Sequence, residues 1–528
     1  MKYNSIVSRG KSSLVALFLI AGLAFSQNNF VIASGGAITN SGTIKVKGNI
    51  TNSGVAGATT IGGTVQLKAN ATQTIGTTSN GAINFTNLYI PASGGNTKTF
   101  NVNSTVGTAI DILASAGATS KFDVNGKTLT LQGTILNTGG ATTPYAFNGA
   151  GTVVAYNGGT QTVFTTTYDG LTVNNAGTKS LGGSITVASA LSVSSGDLSI
   201  GANLLTINGT YTVGGGTVTG GATSDLNLGG TGSLGSFVIT NGLQNFTVNR
   251  NTYTVTLGSN LDVAGAFTLT AGTLAVDVNT LTLSGSVTSS GSLTSATTGT
   301  VSYNKGTNVQ TVIAANYGNL TFSNFTKTLP SGTVGVAGTF TPGSATGHTI
   351  TGNTFDFNGG AQSIPAFNVG TGYQNLITST AASTKTATAS LEIAGNFDNG
   401  GGSDNAVTLD MGTAYSLTIG GTKDNTASTI TYAGGSNGQL FTTGTVEYNG
   451  TVTQTIAGGG NYSTLTFSGT GTKQIAAATT VGTNNNLTIP SGVTLQLAAA
   501  NSTLNLLSTA DLTVTGTLDN AGTVDVGP

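Results

Sequence analysis

Residues 151–179 are GTVVAYNGGTQTVFTTTYDGLTVNNAGTK, a stretch composed of strand and turn residues. Valine, leucine and tyrosine alternate with threonine and alanine over short runs, and Asn-Gly and Gly-Gly pairs separate the runs. Successive side chains of a β-strand point to opposite faces, so this period of two places the apolar residues inward and threonine outward. Glycine supplies the backbone angles of tight corners. The stretch therefore predicts short strands joined by sharp turns.

The same pattern recurs along the chain, with two aromatic residues and a glutamine in a fixed order before a Thr-Lys pair. Copies lie near 63–100, 151–181, 299–329, 354–386 and 444–475. The repeated aromatic and glutamine positions are Tyr156, Gln161, Tyr168, Tyr303, Gln310, Tyr317, Gln362, Tyr373, Tyr448, Gln454 and Tyr462. Internal repetition of this kind indicates an array of similar structural units.

The spacing of the copies distinguishes two kinds of array. Between Gln73 and Gln161 the distance is 88 residues, whereas between Gln310 and Gln362 it is 52. A solenoid can gain or lose whole coils of about 20 residues, because each coil contacts only its neighbours. We therefore predict an all-β, elongated parallel β-solenoid, in the form of a right-handed β-helix, over 63–528, preceded by a cap and first coils at 27–62. Tandem β-sandwich domains are the alternative.

Composition limits the chemistry of the chain. It has 528 residues, of which 6% are charged, and no cysteine, whereas about 25% of residues are charged in a typical globular protein. Because the chain has no cysteine, it forms no disulfide and has no thiolate metal ligand. The formal net charge of −1 provides no basic surface for nucleic acid.

Residues 1–26 have the pattern of a secretory signal peptide, with a membrane anchor that is retained as the alternative. Lys2, Arg9 and Lys11 precede an apolar stretch at 13–25, and small residues lie before Gln27. We predict no membrane span after removal of this segment, and a secreted protein located outside the cell or at the cell surface.

The repeat resembles a known family. The order Gly-Thr-Val-x-Tyr-Asn-Gly, Gln-Thr-Val, Tyr-x-Asn-Leu-Thr-Phe and Thr-Lys over roughly 40–528 is similar to that of the secreted β-strand-repeat proteins of Bacteroidetes, Chlorobi and their relatives. These are large surface or extracellular proteins, described as adhesin-like. The resemblance implies an exported, adhesin-like surface protein.

Several repeated or isolated side chains are candidates for a site. We predict that the repeated tyrosines pack in the core, with sugar-binding platforms as the alternative. The repeated lysines are expected to be exposed and to discourage association of sheet edges, with a stripe for acidic glycans as the alternative. These are Lys98, Lys179, Lys327, Lys385 and Lys473. The only histidine, His348, is expected at the surface.

The turn residues and acidic residues allow further predictions. Asn40, Asn175 and Asn520 precede strands, where they form either ladders between coils or isolated Asx turns. Asp398 and Asp404 are weak calcium candidates, since hard oxygen ligands gather in their Gly-rich loop. No other cofactor and no catalytic residue is predicted. Asp356 would be the catalytic candidate in a polysaccharide-cleaving solenoid, but a solvated strand residue is favoured.

The sequence therefore predicts a protein that is not an enzyme. Its expected role is structural or adhesive, as a rod, spacer or fibre subunit at the cell surface or in the extracellular matrix. Expected partners are further copies of itself, joined head to tail as a homopolymer, and surface or matrix glycans. A glycan-binding or polysaccharide-cleaving β-helix protein is the alternative.

Overall fold

In the computed structural model, the chain is all-β, and parallel strands stack about 21 residues apart. The structure describes residues 24–25, 29–32, 37–52, 58–69, 71–77, 81–91, 96–113, 120–232, 234–380, 383–400, 407–412, 415–421, 423–424, 429–431, 445–451, 453–456, 460–462, 464–507 and 510–526. These residues contain no helix, so none of them offers a helical membrane span.

The chain divides into two compact units. Unit 1 comprises Met1–Ser259 and Thr270–Gly272, and unit 2 comprises Asn260–Leu269 and Thr273–Pro528. The strand Phe267–Ala275 is grouped below with unit 2, to which it belongs apart from Thr270–Gly272. The strands of unit 1 are Ala24–Phe25 (β1), Phe30–Ile32 (β2), Ala37–Ile38 (β3), Thr43–Val46 (β4), Ile50–Asn52 (β5), Thr59–Leu67 (β6), Gln73–Ile75 (β7), Ile83–Ile90 (β8), Thr97–Phe100 (β9), Ser104–Ile112 (β10), Lys121–Asp123 (β11), Thr128–Leu131 (β12), Thr134–Leu136 (β13), Tyr145–Ala146 (β14), Val153–Tyr156 (β15), Gln161–Val163 (β16), Thr167–Val173 (β17), Thr178–Leu181 (β18), Ile185–Val193 (β19), Asp197–Ser199 (β20), Leu204–Ile207 (β21), Thr210–Val213 (β22), Thr217–Leu228 (β23), Ser236–Phe237 (β24) and Thr240–Leu257 (β25).

The strands of unit 2 are Leu261–Val263 (β26), Phe267–Ala275 (β27), Thr280–Leu283 (β28), Val287–Ser289 (β29), Ser292–Thr294 (β30), Thr300–Tyr303 (β31), Gln310–Thr311 (β32), Asn316–Tyr317 (β33), Asn319–Phe322 (β34), Lys327–Thr328 (β35), Thr333–Val336 (β36), Phe340–Thr341 (β37), Thr354–Phe357 (β38), Gln362–Ile364 (β39), Asn375–Thr378 (β40), Thr384–Ala387 (β41), Leu391–Ile393 (β42), Phe397–Asn399 (β43), Thr408–Asp410 (β44), Leu417–Ile419 (β45), Lys423–Asp424 (β46), Thr429–Thr431 (β47), Thr445–Tyr448 (β48), Gln454–Thr455 (β49), Gly460–Tyr462 (β50), Thr464–Phe467 (β51), Gly471–Ile475 (β52), Thr480–Thr483 (β53), Leu487–Ile489 (β54), Val493–Leu497 (β55), Thr503–Leu506 (β56), Leu512–Val514 (β57), Thr517–Asn520 (β58) and Thr523–Val526 (β59).

Stacked strands follow the predicted alternation. In unit 1, Leu171 pairs with Leu191, which pairs with Tyr211, so each of these coils advances by 20 residues. All three side chains point inward and are buried. In unit 2, Leu281, Val301 and Leu320 form a similar inward column. Such columns form a narrow apolar core, which accounts for the spacing of Leu and Val at every second position.

The predicted parallel β-solenoid is confirmed. The tandem-sandwich alternative is wrong, because sandwich domains pack antiparallel sheets, whereas the ladders here run parallel between successive coils. The predicted signal peptide at 1–26 lies outside the described residues apart from β1, and it stays a prediction.

Turn-forming asparagines behave in two ways. Asn40 and Asn520 form Asx turns, each accepting a hydrogen bond from the amide two residues later. Asn175 instead lies in the left-handed region (φ 68°) and donates through Nδ2 to the carbonyl of Asn157 in the preceding coil. Asn40 and Asn520 therefore form the predicted Asx turns. Asn175 links two coils, but through a backbone carbonyl and not through the asparagine side chain of a ladder.

Candidate functional site: the buried polar corners

Each repeated glutamine joins its own corner to the preceding coil. The Nε2 group of Gln161 donates to the carbonyls of Leu131 (3.1 Å) and Gly133 (2.7 Å). Its Oε1 accepts from the backbone amide of Gly158 at 2.7 Å. The same pair of carbonyls, two residues apart, is bound by Gln73 (Val46, Gly48), Gln310 (Leu283, Gly285), Gln362 (Val336, Gly338) and Gln454 (Ile419, Gly421).

The glycine of the Tyr-Asn-Gly motif permits this close approach. A Cβ atom on Gly158 would lie 2.1 Å from the carbonyl oxygen of Gln132 and 2.8 Å from Cδ of Gln161. Real Cβ atoms do not approach other atoms so closely. Gly450 is restricted in the same way by the carbonyl of Gly420. The motif is therefore a packing requirement of the corner.

The repeated lysines are buried, so the prediction that they are exposed is wrong. All five are 0% exposed, and each is paired in register with the glutamine of the preceding coil, as Lys473 is with Gln454. The Lys473 ammonium donates to Oε1 of Gln454 (2.7 Å) and to the carbonyls of Gly450 and Thr470. The corresponding carbonyl acceptors are Ala69 and Ala71 for Lys98, Asn175, Ala176 and Gly177 for Lys179, Ser323 and Phe325 for Lys327, and Gly359 and Gly360 for Lys385.

Backbone carbonyls therefore accept the hydrogen bonds of these ammonium groups that water would accept at a surface. Each N–H that bonds a carbonyl reduces the cost of burying the charge. Burial still lowers the pKa of Lys98, Lys327 and Lys385 to about 8 and lowers the pKa of Lys179 and Lys473. Such inward amines are not placed to protect a sheet edge or to form a glycan-binding stripe.

The repeated tyrosines form hydroxyl pairs in the core. The Tyr156 and Tyr168 hydroxyls lie 2.9 Å apart. The Tyr156 oxygen accepts from the amide of Phe164, and the Tyr168 hydroxyl donates to the Phe164 carbonyl. Tyr303 and Tyr317 (2.8 Å) and Tyr448 and Tyr462 (3.3 Å) repeat the pair. Tyr373 packs against Phe357 and donates to the Pro365 carbonyl instead. This burial agrees with core packing and leaves no ring of the set as a surface platform.

Alkaline pH should unfold the protein through these rings. Burial raises the pKa of Tyr156 and Tyr303 to about 12, from an ordinary value of 10.0. Their contribution to stability is therefore complete below pH 10 and is lost as the pH rises through about 12. We expect the tyrosinate absorbance of the buried rings to appear together with loss of the β-sheet circular dichroism. Full ionisation near pH 10 with the sheet intact would contradict this expectation.

The corner lysines act in the opposite direction at lower pH. Burial lowers the pKa of Lys98, Lys327 and Lys385 from the ordinary 10.5 to about 8, so the unfolded chain binds more protons at these three lysines between about pH 8 and 10.5. The free energy of unfolding should therefore gain a contribution from them as pH rises through that window. Denaturant titrations at several alkaline pH values would locate the expected maximum before the tyrosines ionise.

Arg250 is a further buried cation, and it was not predicted from the sequence. It is 0% exposed and donates to carbonyls in two preceding coils. The acceptors are Ile207 and Gly209 in one coil and Gly229, Thr231 and Gly232 in the next. Since Ile207 stacks on Leu228 and Leu228 on Val248, this guanidinium joins three successive coils. The sequence does indicate this burial. Arg250 follows the apolar Val248 by two residues in the same strand, so both side chains point to the inner face.

The isolated polar candidates have different outcomes. His348 is 5% exposed, so its expected surface position is wrong. Asp356 is half-buried in β38 and accepts from the Ser379 hydroxyl at 2.7 Å. Burial raises its pKa, which Ser379 and Lys385 oppose and Asp398 reinforces. Asp398 lies in β43, and Asp404 lies outside the described residues. The described part of the chain contains no group of three or more His, Asp or Glu residues that could hold a metal ion.

The hydrogen bonds of the repeated glutamines and of Lys98, Lys385 and Lys473 link neighbouring coils at the corners, and we call them corner ties. The glutamine and lysine donors bond backbone carbonyls or each other's side chains, and the tyrosine rings are buried. No protein-family model matches the chain, and no curated protein or solved structure matches it either.

Proposed function

We propose that the chain is an exported structural or adhesive protein, acting as a spacer or fibre subunit at the cell surface or in the extracellular matrix. The observation that carries the proposal is the inward direction of the repeat's glutamine, lysine and tyrosine side chains. The most reactive groups of the repeat are used to join coils. The surface available to a binding partner is therefore the outer face of the sheets.

That outer surface consists largely of short, uncharged side chains in register. One column of unit 1 contains Thr130, Ala155, Thr172, Ser192 and Thr212 on successive coils. A column of unit 2 contains Asp262, Thr282, Ser302, Thr321 and Thr341. Regular hydroxyl columns suit a passive spacer or a surface that binds other polymers through many weak contacts. The resemblance to secreted adhesin-like repeat proteins supports the same role.

Localisation on the native cell tests the export part of the proposal. Antibodies raised against residues 27–528 should label intact cells or their surrounding matrix, and protease added outside should remove the label. Labelling that requires permeabilised cells would contradict export. A cytoplasmic protein labelled in parallel is the control for cell integrity.

Binding and degradation assays test the role itself. The purified chain should bind matrix material or a glycan array without shortening any polysaccharide. Release of oligosaccharides by the wild-type chain, lost in Asp356→Asn, would favour the polysaccharide-cleaving alternative. Absence of glycan binding together with surface labelling would favour a spacer over an adhesin.

A further inference from the structure

His348 occupies a position that is apolar at the other described corners. The bridge between Thr328 and Thr349 places His348 beside Lys327. The residues paired with the other four repeated lysines are Phe122, Leu198, Leu409 and Leu495. A packing residue would satisfy this position, so the single histidine of the chain introduces a titratable group where the repeat does not need one.

Both ring nitrogens of His348 have defined partners. Nδ1 accepts from the backbone amide of Lys327 at 2.8 Å, and Nε2 lies 3.0 Å from the carbonyl of Ala345. Only the neutral tautomer with its proton on Nε2 satisfies both contacts. On the other side, Oδ1 of Asn368 accepts from the backbone amides of Gly347 (2.8 Å) and His348 (2.9 Å). The imidazole therefore lies in a seam of side-chain hydrogen bonds between three coils.

The surroundings of the ring disfavour a second proton. The ring stacks on Phe367 at 5.0 Å and lies 6.0 Å from Phe322, in a cluster that also contains Phe340, Phe355 and Tyr373. Lys327 is the neighbouring charged group, with Lys305 beyond it, and both are cationic. The Tyr373 hydroxyl is engaged with the Pro365 carbonyl.

We propose that His348 is an acid-sensitive latch, and that its protonation opens the seam between Lys327 and His348 in unit 2. A proton on Nδ1 would face the Lys327 N–H, so the hydrogen bond would be replaced by a repulsive contact. The resulting imidazolium would be buried among aromatic rings beside an ammonium group. The seam would then separate so that the imidazolium reaches water.

The pH dependence has a definite sign. Burial, with the Lys327 charge adding to it, lowers the pKa of His348 below its ordinary value of 6.5, and the Ala345 carbonyl opposes the shift. The neutral ring therefore contributes stability that is complete above about pH 6.5 and is lost as the pH falls through the folded value. Within that window, the equilibrium constant for opening should rise by up to about tenfold per pH unit.

Two measurements on the full chain test the latch. Because the chain has one histidine, selectively labelled His348 gives a single set of imidazole resonances, which should titrate below the ordinary value. Hydrogen exchange of 323–330, corrected for its intrinsic pH dependence, should accelerate as the pH falls. The segment around Lys179, where Leu198 occupies the corresponding position, is the internal reference and should not accelerate.

Two substitutions distinguish the latch from general acid sensitivity. His348→Asn offers an oxygen acceptor in place of Nδ1 and cannot titrate, and His348→Leu restores the residue type of the other corners. Exchange of 323–330 should become independent of pH in both variants. Acid acceleration that persists in either folded variant, or a wild-type titration at or above the ordinary value, would overturn the proposal. Should neither variant fold, the wild-type titration and exchange decide it alone.

Discussion

Substitution of Arg250 by alanine is expected to lower the free energy of unfolding of unit 1 by about 4 kcal/mol. The guanidinium is fully buried and bonds carbonyls in two preceding coils. Its removal takes a donor away from each of these carbonyls and opens a cavity, and both effects destabilise the folded state. Chemical denaturation followed by circular dichroism would measure the loss.

Two further variants separate the causes. Arg250→Met keeps much of the side-chain volume and removes the donors, so a loss close to that of alanine would assign the effect to hydrogen bonding. Lys45→Ala, at an exposed position of β4, is the control for removal of a cation and should change the free energy by less than about 0.5 kcal/mol. An Arg250→Ala protein as stable as this control would contradict the role assigned to the guanidinium.

Substitution of Gln454 by methionine is expected to cost unit 2 about 3 kcal/mol or more. The amide binds Ile419 and Gly421 through Nε2, while its Oε1 accepts from the buried Lys473 ammonium. Methionine retains the length of the side chain but leaves the ammonium one acceptor short. Breaking a buried polar pair from one side is more costly than replacing both members by apolar groups.

A double-mutant cycle tests this reasoning. Lys473→Met alone should also destabilise, since Oε1 of Gln454 loses its charged donor. The double variant should be destabilised by less than the sum of the two single losses, with a coupling of about 1–3 kcal/mol. Additive losses, measured by the same denaturation assay, would show that the two side chains act independently despite their 2.7 Å contact.

The fold could be predicted because its determinants are local and repeated. Alternation in Leu171-Thr172-Val173 defines which side chains point inward, and the corner glycines define where the strands end. The burial of the repeated tyrosines was predicted correctly, because an aromatic ring at the same position of every copy indicates packing in the core. Their hydroxyl pairs were not predicted, since Tyr156 and Tyr168 belong to different strands whose approach depends on the path of the chain between them, which includes β16.

The lysines were misplaced because their partners are not visible in a sequence. An ammonium group is expected in water, and its acceptors here are backbone carbonyls, which every residue possesses. The phase of the alternation was the available signal. Lys179 precedes Leu181 by two residues, and Lys473 precedes Ile475 by two, so both lysines share the inward phase of a buried residue. For the same reason Arg250 was not predicted and His348 was wrongly expected at the surface.

The corner ties have a mechanical consequence within each unit. A load along the stacking direction pulls on the ladder between two coils, so the coils should detach one at a time and not all at once. Each detachment of a 20-residue coil would lengthen the chain by roughly 65 Å of contour. Arg250 joins three coils, whereas each repeated glutamine joins two. The force needed to detach a coil should therefore differ along the chain. In unit 1 it should be largest at the coils that the Arg250 guanidinium joins.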